Sequence, residues 1–178
     1  MSEPMQIWVE VWPVAADSAG IWLVSGSDAW RADLPVMGDS EPHFDVELEL
    51  SGHGVKNDVA LLHSTSWRAD GPRVLLTYVA LLQVPGGSLV RDRWPDALPI
   101  GPGLADAVGA PPTNPPAEAP MPRYIDVLLH AVRHLRFLLD TDGAARTVMD
   151  DHWRRHLEDF TPALAGMYGA RRWPADAA

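Results

Sequence analysis

Cysteine is absent from this chain of 178 residues, and this absence excludes several kinds of chemistry at once. Without a thiol, the protein can form no disulfide, no thiolate metal site and no cysteine nucleophile. The composition fits a reducing compartment, and we expect a cytoplasmic protein. Lysine is nearly absent as well, because Lys56 is the single lysine among 14 basic residues. Since arginine codons are GC-rich, this bias indicates a bacterial genome of the actinobacterial kind and says nothing about mechanism.

Long apolar runs and targeting signals are also missing. The first residues lack the basic segment and the following apolar segment of a signal peptide. No uninterrupted apolar run reaches the roughly 18 residues that a membrane-spanning helix needs. We therefore expect a soluble protein with no membrane partner.

The formal net charge is −10, which disfavours nucleic acid as a partner because an acidic surface repels phosphate backbones. The chain is 47% hydrophobic and 21% charged, an ordinary composition for a globular protein. Its length favours one domain. We divide this domain into a β-rich half, a proline-rich loop, a helical hairpin and a tail, over residues 1–90, 91–122, 123–165 and 166–178.

Four apolar runs predict strands in the first half. Residues 7–14 and 20–24 are rich in β-branched and aromatic types, and they could pair as a hairpin. Residues 59–67 and 74–84 flank a turn that contains Asp70-Gly71-Pro72, which is the clearest hairpin signal in the chain. The last of these runs is apolar nearly throughout, so we expect a central strand that is covered on both faces.

Residues 43–50 alternate strictly between apolar and polar types, and period two predicts a half-buried strand. The glutamates and leucines in this stretch favour a helix instead. In a strand, Asp45, Glu47 and Glu49 would share one face, where they could bind a hard cation such as Mg²⁺ or face water.

Two helices are expected after the proline-rich loop, over residues 124–139 and 144–160, with Asp142 as a helix N-cap between them. Both segments carry apolar residues at helical spacing. The predicted fold class is therefore α+β, with a mixed or antiparallel sheet of about five strands packed by a C-terminal helical hairpin.

Each of these helices carries a pair of histidines four residues apart: His130 and His134, then His152 and His156. Residues at this spacing lie one above the other on a helix, which is the geometry that one metal ion needs. A divalent metal is therefore the cofactor that the spacing indicates. In the alternative interpretation, His130 and His134 lie on a solvated helix face, while the other pair lies at the edge of the core.

The end of the third strand carries Ser64, Ser66, Trp67 and Arg68, a candidate ligand-binding set. Arg68 with the two serines could bind a phosphate or carboxylate, and Trp67 could stack on a base. The alternative is ordinary sheet structure. No nucleophile elbow is present, and we assign no catalytic residue.

The order of elements faintly resembles a Nudix-type domain over residues 5–85. Gly54 and Val55 match the end of that family's loop–helix box. Glu47 stands where that family has the box arginine, and Leu48 where it has the glutamate that follows. Ser51 and Gly52 stand where it has the metal-binding glutamate pair. The resemblance implies a Nudix-like sandwich that has lost its metal chemistry, and it requires a helix where the period-two pattern predicts a strand.

These features favour a non-catalytic binding or interaction module, with a protein or a small molecule as its partner. Eight tryptophans, the acidic charge, the proline-rich loop and the lack of a complete catalytic motif support this interpretation. Two alternatives remain: a metal-dependent hydrolase that uses the paired histidines, and a nucleotide-binding Nudix-like domain.

Overall fold

The protein has an α+β fold with a mixed sheet, as the sequence predicts. The computed structural model describes residues 5–70, 72–101 and 124–165. The strands of this described part are β1 Gln6–Ala16, β2 Ile21–Leu23, β3 Trp30–Arg31, β4 Val59–Asp70, β5 Arg73–Leu82 and β6 Leu98–Ile100. The helices are α1 Pro42–Gly52, α2 Val90–Arg93, α3 Tyr124–Thr141, α4 Gly143–Val148 and α5 Asp151–Leu157, with a 3₁₀ turn at Lys56–Asp58.

The sheet has the strand order β4-β5-β1-β2-β6, and β3 also pairs with β1. The predicted β4–β5 hairpin and the short β1–β2 hairpin are both present and antiparallel. Strand β5 lies inside the sheet with a neighbour on each side, although the middle strand is β1 and not β5 as the apolar run predicts. The neighbour of β5 on the other side is β1, and these two strands run parallel over a register that extends from Gln6 opposite Arg73 to Ala15 opposite Leu82.

Side chains alternate along β1 between two hydrophobic cores, one on each face of the sheet. Trp12 and Val14 belong to the core beneath α3, α4 and α5. Val11 and Ala15 belong to the core on the other face, together with Val46 of α1. The sheet is therefore covered by helices on both faces. No helix in the described ranges is long and apolar enough to cross a membrane.

The strand prediction for residues 43–50 is wrong, because this stretch lies in α1. Pro42 occupies the first turn of the helix, where its missing N–H costs nothing, and the glutamates and leucines favour a helix. Val46 and Leu50 are buried, one turn apart. Consequently Asp45, Glu47 and Glu49 do not share a face, and the predicted acidic row does not form. A helix here is compatible with the Nudix-type resemblance and equally with other α+β folds, so the resemblance stays a prediction.

The second C-terminal helix is interrupted, where the sequence predicts one helix over residues 144–160. Helix α4 ends at Val148, and Asp150 starts α5 by accepting hydrogen bonds from the backbone N–H groups of His152 and Trp153. Asp142 caps α4 in the same way, as predicted, with N···O distances of 2.7 and 3.0 Å. Residues 102–123, most of the proline-rich loop, lie outside the described residues, as does the tail from residue 166.

Asp17 joins three parts of the fold from the turn after β1. Its carboxylate accepts hydrogen bonds from the Trp22 indole and from the backbone of Ala19, Gly20 and Val90. Burial alone would raise the pKa of Asp17, but these hydrogen bonds together lower the pKa below its ordinary value. The carboxylate therefore stays charged and holds the start of α2 against the β1–β2 turn.

Candidate functional site

Three histidines meet where α3 crosses β4. His63 lies on the face of β4 that α3 covers, and its Nδ1 is 3.3 Å from Nε2 of His134. The Nδ1 of His134 lies 3.1 Å from the carbonyl oxygen of Ala163. His130, one turn earlier in α3, forms a hydrogen bond with the backbone of Thr65. Strand β4 and helix α3 are thus joined through imidazoles rather than through apolar side chains alone.

The carbonyl of Ala163 assigns the protons in this chain of hydrogen bonds. A carbonyl only accepts, so Nδ1 of His134 carries a proton and its Nε2 accepts. The donor to that Nε2 is Nδ1–H of His63, which also points at the carbonyl oxygen of Ser64, 2.8 Å away. The Nε2 of His63 is then the nitrogen without a proton, and it lies at the end of this series of hydrogen bonds.

Burial keeps the two α3 histidines neutral. His130 is 5% exposed and His134 is 2% exposed. Burial, together with nearby positive charge, lowers the pKa of His130 to about 4. Burial also lowers the pKa of His134, against the opposing effect of its hydrogen bond to Ala163. The interpretation that places this pair on a solvated helix face is therefore wrong, because β4 covers that side of α3.

The other two histidines contact different partners. His156 donates from Nε2 to the carbonyl oxygen of Asp17 at 3.0 Å. His152 is half-buried, and its Nδ1 has no hydrogen-bond partner in the described part of the chain. Across residues 5–70, 72–101 and 124–165, no three histidine, aspartate or glutamate side chains are placed to hold one metal ion. The divalent metal site therefore stays a prediction, and no cluster of ligands among the described residues supports it.

The predicted ligand-binding set on β4 divides between the two faces of the sheet. Ser66 and Arg68 lie opposite Thr77 and Leu75, whereas Trp67 lies opposite Leu76 and is largely exposed. Ser64 is exposed and lies just before an irregularity in the β4–β5 register. Neighbours on a strand point to opposite faces, so Trp67 cannot stack on a ligand that Arg68 and Ser66 bind.

Arg68 already holds a buried carboxylate, which the sequence analysis did not single out. Both terminal nitrogens of Arg68 donate to Glu10 of β1, which also accepts from the Thr77 hydroxyl at 2.8 Å. The Nε of Arg31 donates to Glu10 at 3.2 Å. The available signal was the position of Glu10 in the middle of an otherwise apolar strand, since a buried charge requires partners.

Helix α1 presents large apolar side chains to solvent. Phe44 and Leu48 are 60% and 73% exposed and lie one turn apart on the side of the helix away from the sheet. The acidic residues of this segment surround them. Asp45 contacts Ser40, Glu47 contacts Lys56 and Glu49 contacts His53. We call Phe44, Leu48 and these carboxylates the α1 surface.

Comparisons with known proteins gave no match. No family model matches the chain, and no match was found among curated proteins or solved structures.

Proposed function

We propose that this protein is a non-catalytic binding module that docks a protein partner on the α1 surface. The observation that carries the proposal is the exposure of Phe44 and Leu48 on a helix whose other side is buried through Val46 and Leu50. A helix that only covers a sheet is expected to be polar on its outer side. Helix α1 is apolar on both sides, as expected of a helix that packs against the sheet on one side and against a partner on the other.

The energetics favour a partner over a chance exposure. Single exposed leucines are common on protein surfaces. Two large side chains at positions i and i+4 form a continuous stripe, and burying each of them would contribute roughly 1.5–3 kcal/mol. Such a pair matches the anchors by which a helix and a groove recognise each other.

The charge around the stripe defines the partner. Asp45 follows Phe44 in α1, and Glu47 and Glu49 are the chain neighbours of Leu48. At 100° per residue these carboxylates lie along both sides of the apolar stripe. Lys56 is the only lysine or arginine that bonds to this surface among the described residues. The complementary partner is an amphipathic segment with an apolar stripe and flanking lysines or arginines.

The contacts of the predicted sites support binding at α1 over the alternatives. A phosphate at Arg68 would have to compete with Glu10 inside a buried ion pair. The paired histidines contact Ala163, Thr65 and Asp17 rather than one point. A nucleotide-binding Nudix-like domain and a metal-dependent hydrolase therefore rank below a docking module.

A titration with a designed peptide tests the proposal. The probe is a 20-residue amphipathic helix of leucines with lysine and arginine flanks, added to ¹⁵N-labelled full chain and followed by NMR. We expect saturable shifts in residues 41–52 and at least tenfold weaker binding when Phe44→Gln and Leu48→Gln are combined. The matched control is Leu89→Gln, which removes another exposed leucine and should leave the affinity unchanged.

Two outcomes would contradict the proposal. One is the absence of any shift in α1 resonances at millimolar peptide, near the weak limit of specific binding. The other is equal binding by the double variant and the parent chain. A peptide with glutamates in place of its basic residues should not bind, and binding of that peptide would overturn the choice of a basic partner.

A further inference from the structure

A concave surface lies among the C-terminal helices, which cover the other face of the sheet from α1. It is a cleft of about 400 Å³ between the end of α3, helix α4 and the end of α5. Pockets for small molecules begin near roughly 300 Å³, so the cleft has room for more than a simple ion. Its lining residues are Arg136, Leu139, Asp140, Arg146, Arg154 and Glu158.

Three guanidinium groups share this cleft in a protein whose net charge is −10. Arg146 donates to the carbonyl oxygens of Leu139 and Asp140, both at 3.2 Å. Arg154 donates to the carbonyl oxygen of Arg146 at 3.0 Å. These bonds cap the ends of α3 and α4, and they also hold two positive side chains in fixed orientations with N–H groups left over.

Helix capping does not account for Arg136. Its Nε is buried and lies 3.3 Å from Oδ2 of Asp140, but the two atoms do not form an aligned hydrogen bond. No carbonyl oxygen of the described residues accepts from this guanidinium. The buried Nε therefore faces Asp140, while the exposed part of the Arg136 guanidinium lines the cleft. An anion in the cleft would accept from its terminal N–H groups.

The other lining residues narrow the class of anion. Asp140 and Glu158 offset part of the attraction of the three arginines for an anion, and they would accept hydrogen bonds from hydroxyl groups. Leu139 provides a small apolar wall. We propose that the cleft binds a phosphate ester of a polyol, with the phosphate on Arg136 and Arg154 and the hydroxyl groups on the two carboxylates.

The test follows arginine Nε–H resonances by NMR while three probes are added: glucose 6-phosphate, inorganic phosphate and glucose. We expect glucose 6-phosphate to shift the Arg136 and Arg154 signals saturably and inorganic phosphate to bind at least tenfold more weakly. Glucose alone should cause no shift. Equal affinity for the first two probes would overturn the assignment of a polyol ester.

Matched variants separate a site from general electrostatics. Arg136→Gln and Arg154→Gln should each weaken binding at least tenfold. Arg155→Gln removes the same charge from the next residue of α5, outside the cleft, and should leave binding unchanged. Glu158→Gln keeps an oxygen that can accept from a ligand hydroxyl group, and because it removes an opposing charge from the cleft it should strengthen binding. Equal loss in the Arg154 and Arg155 variants, or no shift at about 10 mM sugar phosphate, would overturn the proposal.

Discussion

Strand β4 carries two buried polar clusters, which differ in how the cost of burying polar groups is reduced. In the Arg68 cluster, the carboxylate of Glu10 accepts hydrogen bonds from two arginines and a hydroxyl. In the histidine cluster, burial lowers the pKa of His130 and His134 and so favours their neutral forms. The first cluster should therefore be sensitive to the loss of a partner, and the second should be sensitive to added protons.

The largest effect is expected from Glu10→Ala. This substitution leaves Arg68 partly buried without its carboxylate, and breaking a buried pair in this way costs about 3–5 kcal/mol. Urea unfolding monitored by tryptophan fluorescence measures the loss. Glu47→Ala breaks the exposed pair with Lys56 and serves as the control with a much smaller loss. Equal losses in the two variants would remove the distinction between the clusters.

The histidine cluster should make the fold sensitive to mild acid. The folded pKa of His130 is about 4, against an ordinary value of 6.5, so the unfolded chain binds more protons between these values. Stability is then complete above pH 6.5 and falls as the pH drops towards 4, by on the order of 3 kcal/mol. The lowered pKa of His134 acts in the same direction.

Unfolding measured at steps from pH 7.5 to 4 tests this second prediction, and His130→Gln is the control. The variant should lose most of the pH dependence in this window. Asp17 and Asp142 also have lowered pKa values, but their contributions are lost below the ordinary value of 3.8, outside the window. The hydrogen bond from Lys56 lowers the pKa of Glu47, whose contribution is lost as the pH falls below 4.5, equally in the parent chain and in His130→Gln. A parent chain as stable at pH 4.5 as at pH 7.5 would contradict the prediction.

The smallest effect is expected from His63→Gln. Positive charge on His63 lowers the pKa of His134, after the larger effect of burial, so the substitution should raise that pKa modestly. Half-exposed His63 contributes one hydrogen bond to the cluster. Loss of this bond should lower the free energy of unfolding by no more than about 1 kcal/mol. NMR titration of the His134 ring measures the change. A fall in the pKa of His134 would show that the chain of hydrogen bonds is assigned wrongly.

Local patterns predicted the parts of the fold that depend on local physics. The β4–β5 hairpin follows from two β-rich runs around a turn, and α3 follows from its helical periodicity. The cap at Asp142 follows from its residue type and position. Helix α1 was missed because alternation between leucines and carboxylates imitates a strand. Its residue types favour a helix, and packing through Val46 and Leu50 needs only one apolar residue per turn.

The two buried polar clusters depend on contacts between distant residues, which no local pattern contains. Arg68 and Glu10 are 58 positions apart, and His134 and His63 are 71 positions apart. The histidine spacing in α3 predicted a metal site at His130 and His134, which stays a prediction. Their burial follows from β4 lying across that side of the helix. The pairing of β1 with β5 likewise has no signature within either strand.

The parallel pairing of β1 with β5 has a consequence for synthesis on the ribosome. Until residues 73–82 have emerged, the apolar strand β1 can pair only with the short strands β2 and β3. At a synthesis rate of about 5–20 residues per second, the apolar strand β1 remains without its main neighbour β5 for several seconds. Long-range pairing of this kind also slows folding. Chaperone contact with the nascent chain would therefore be concentrated on strand β1, residues 6–16.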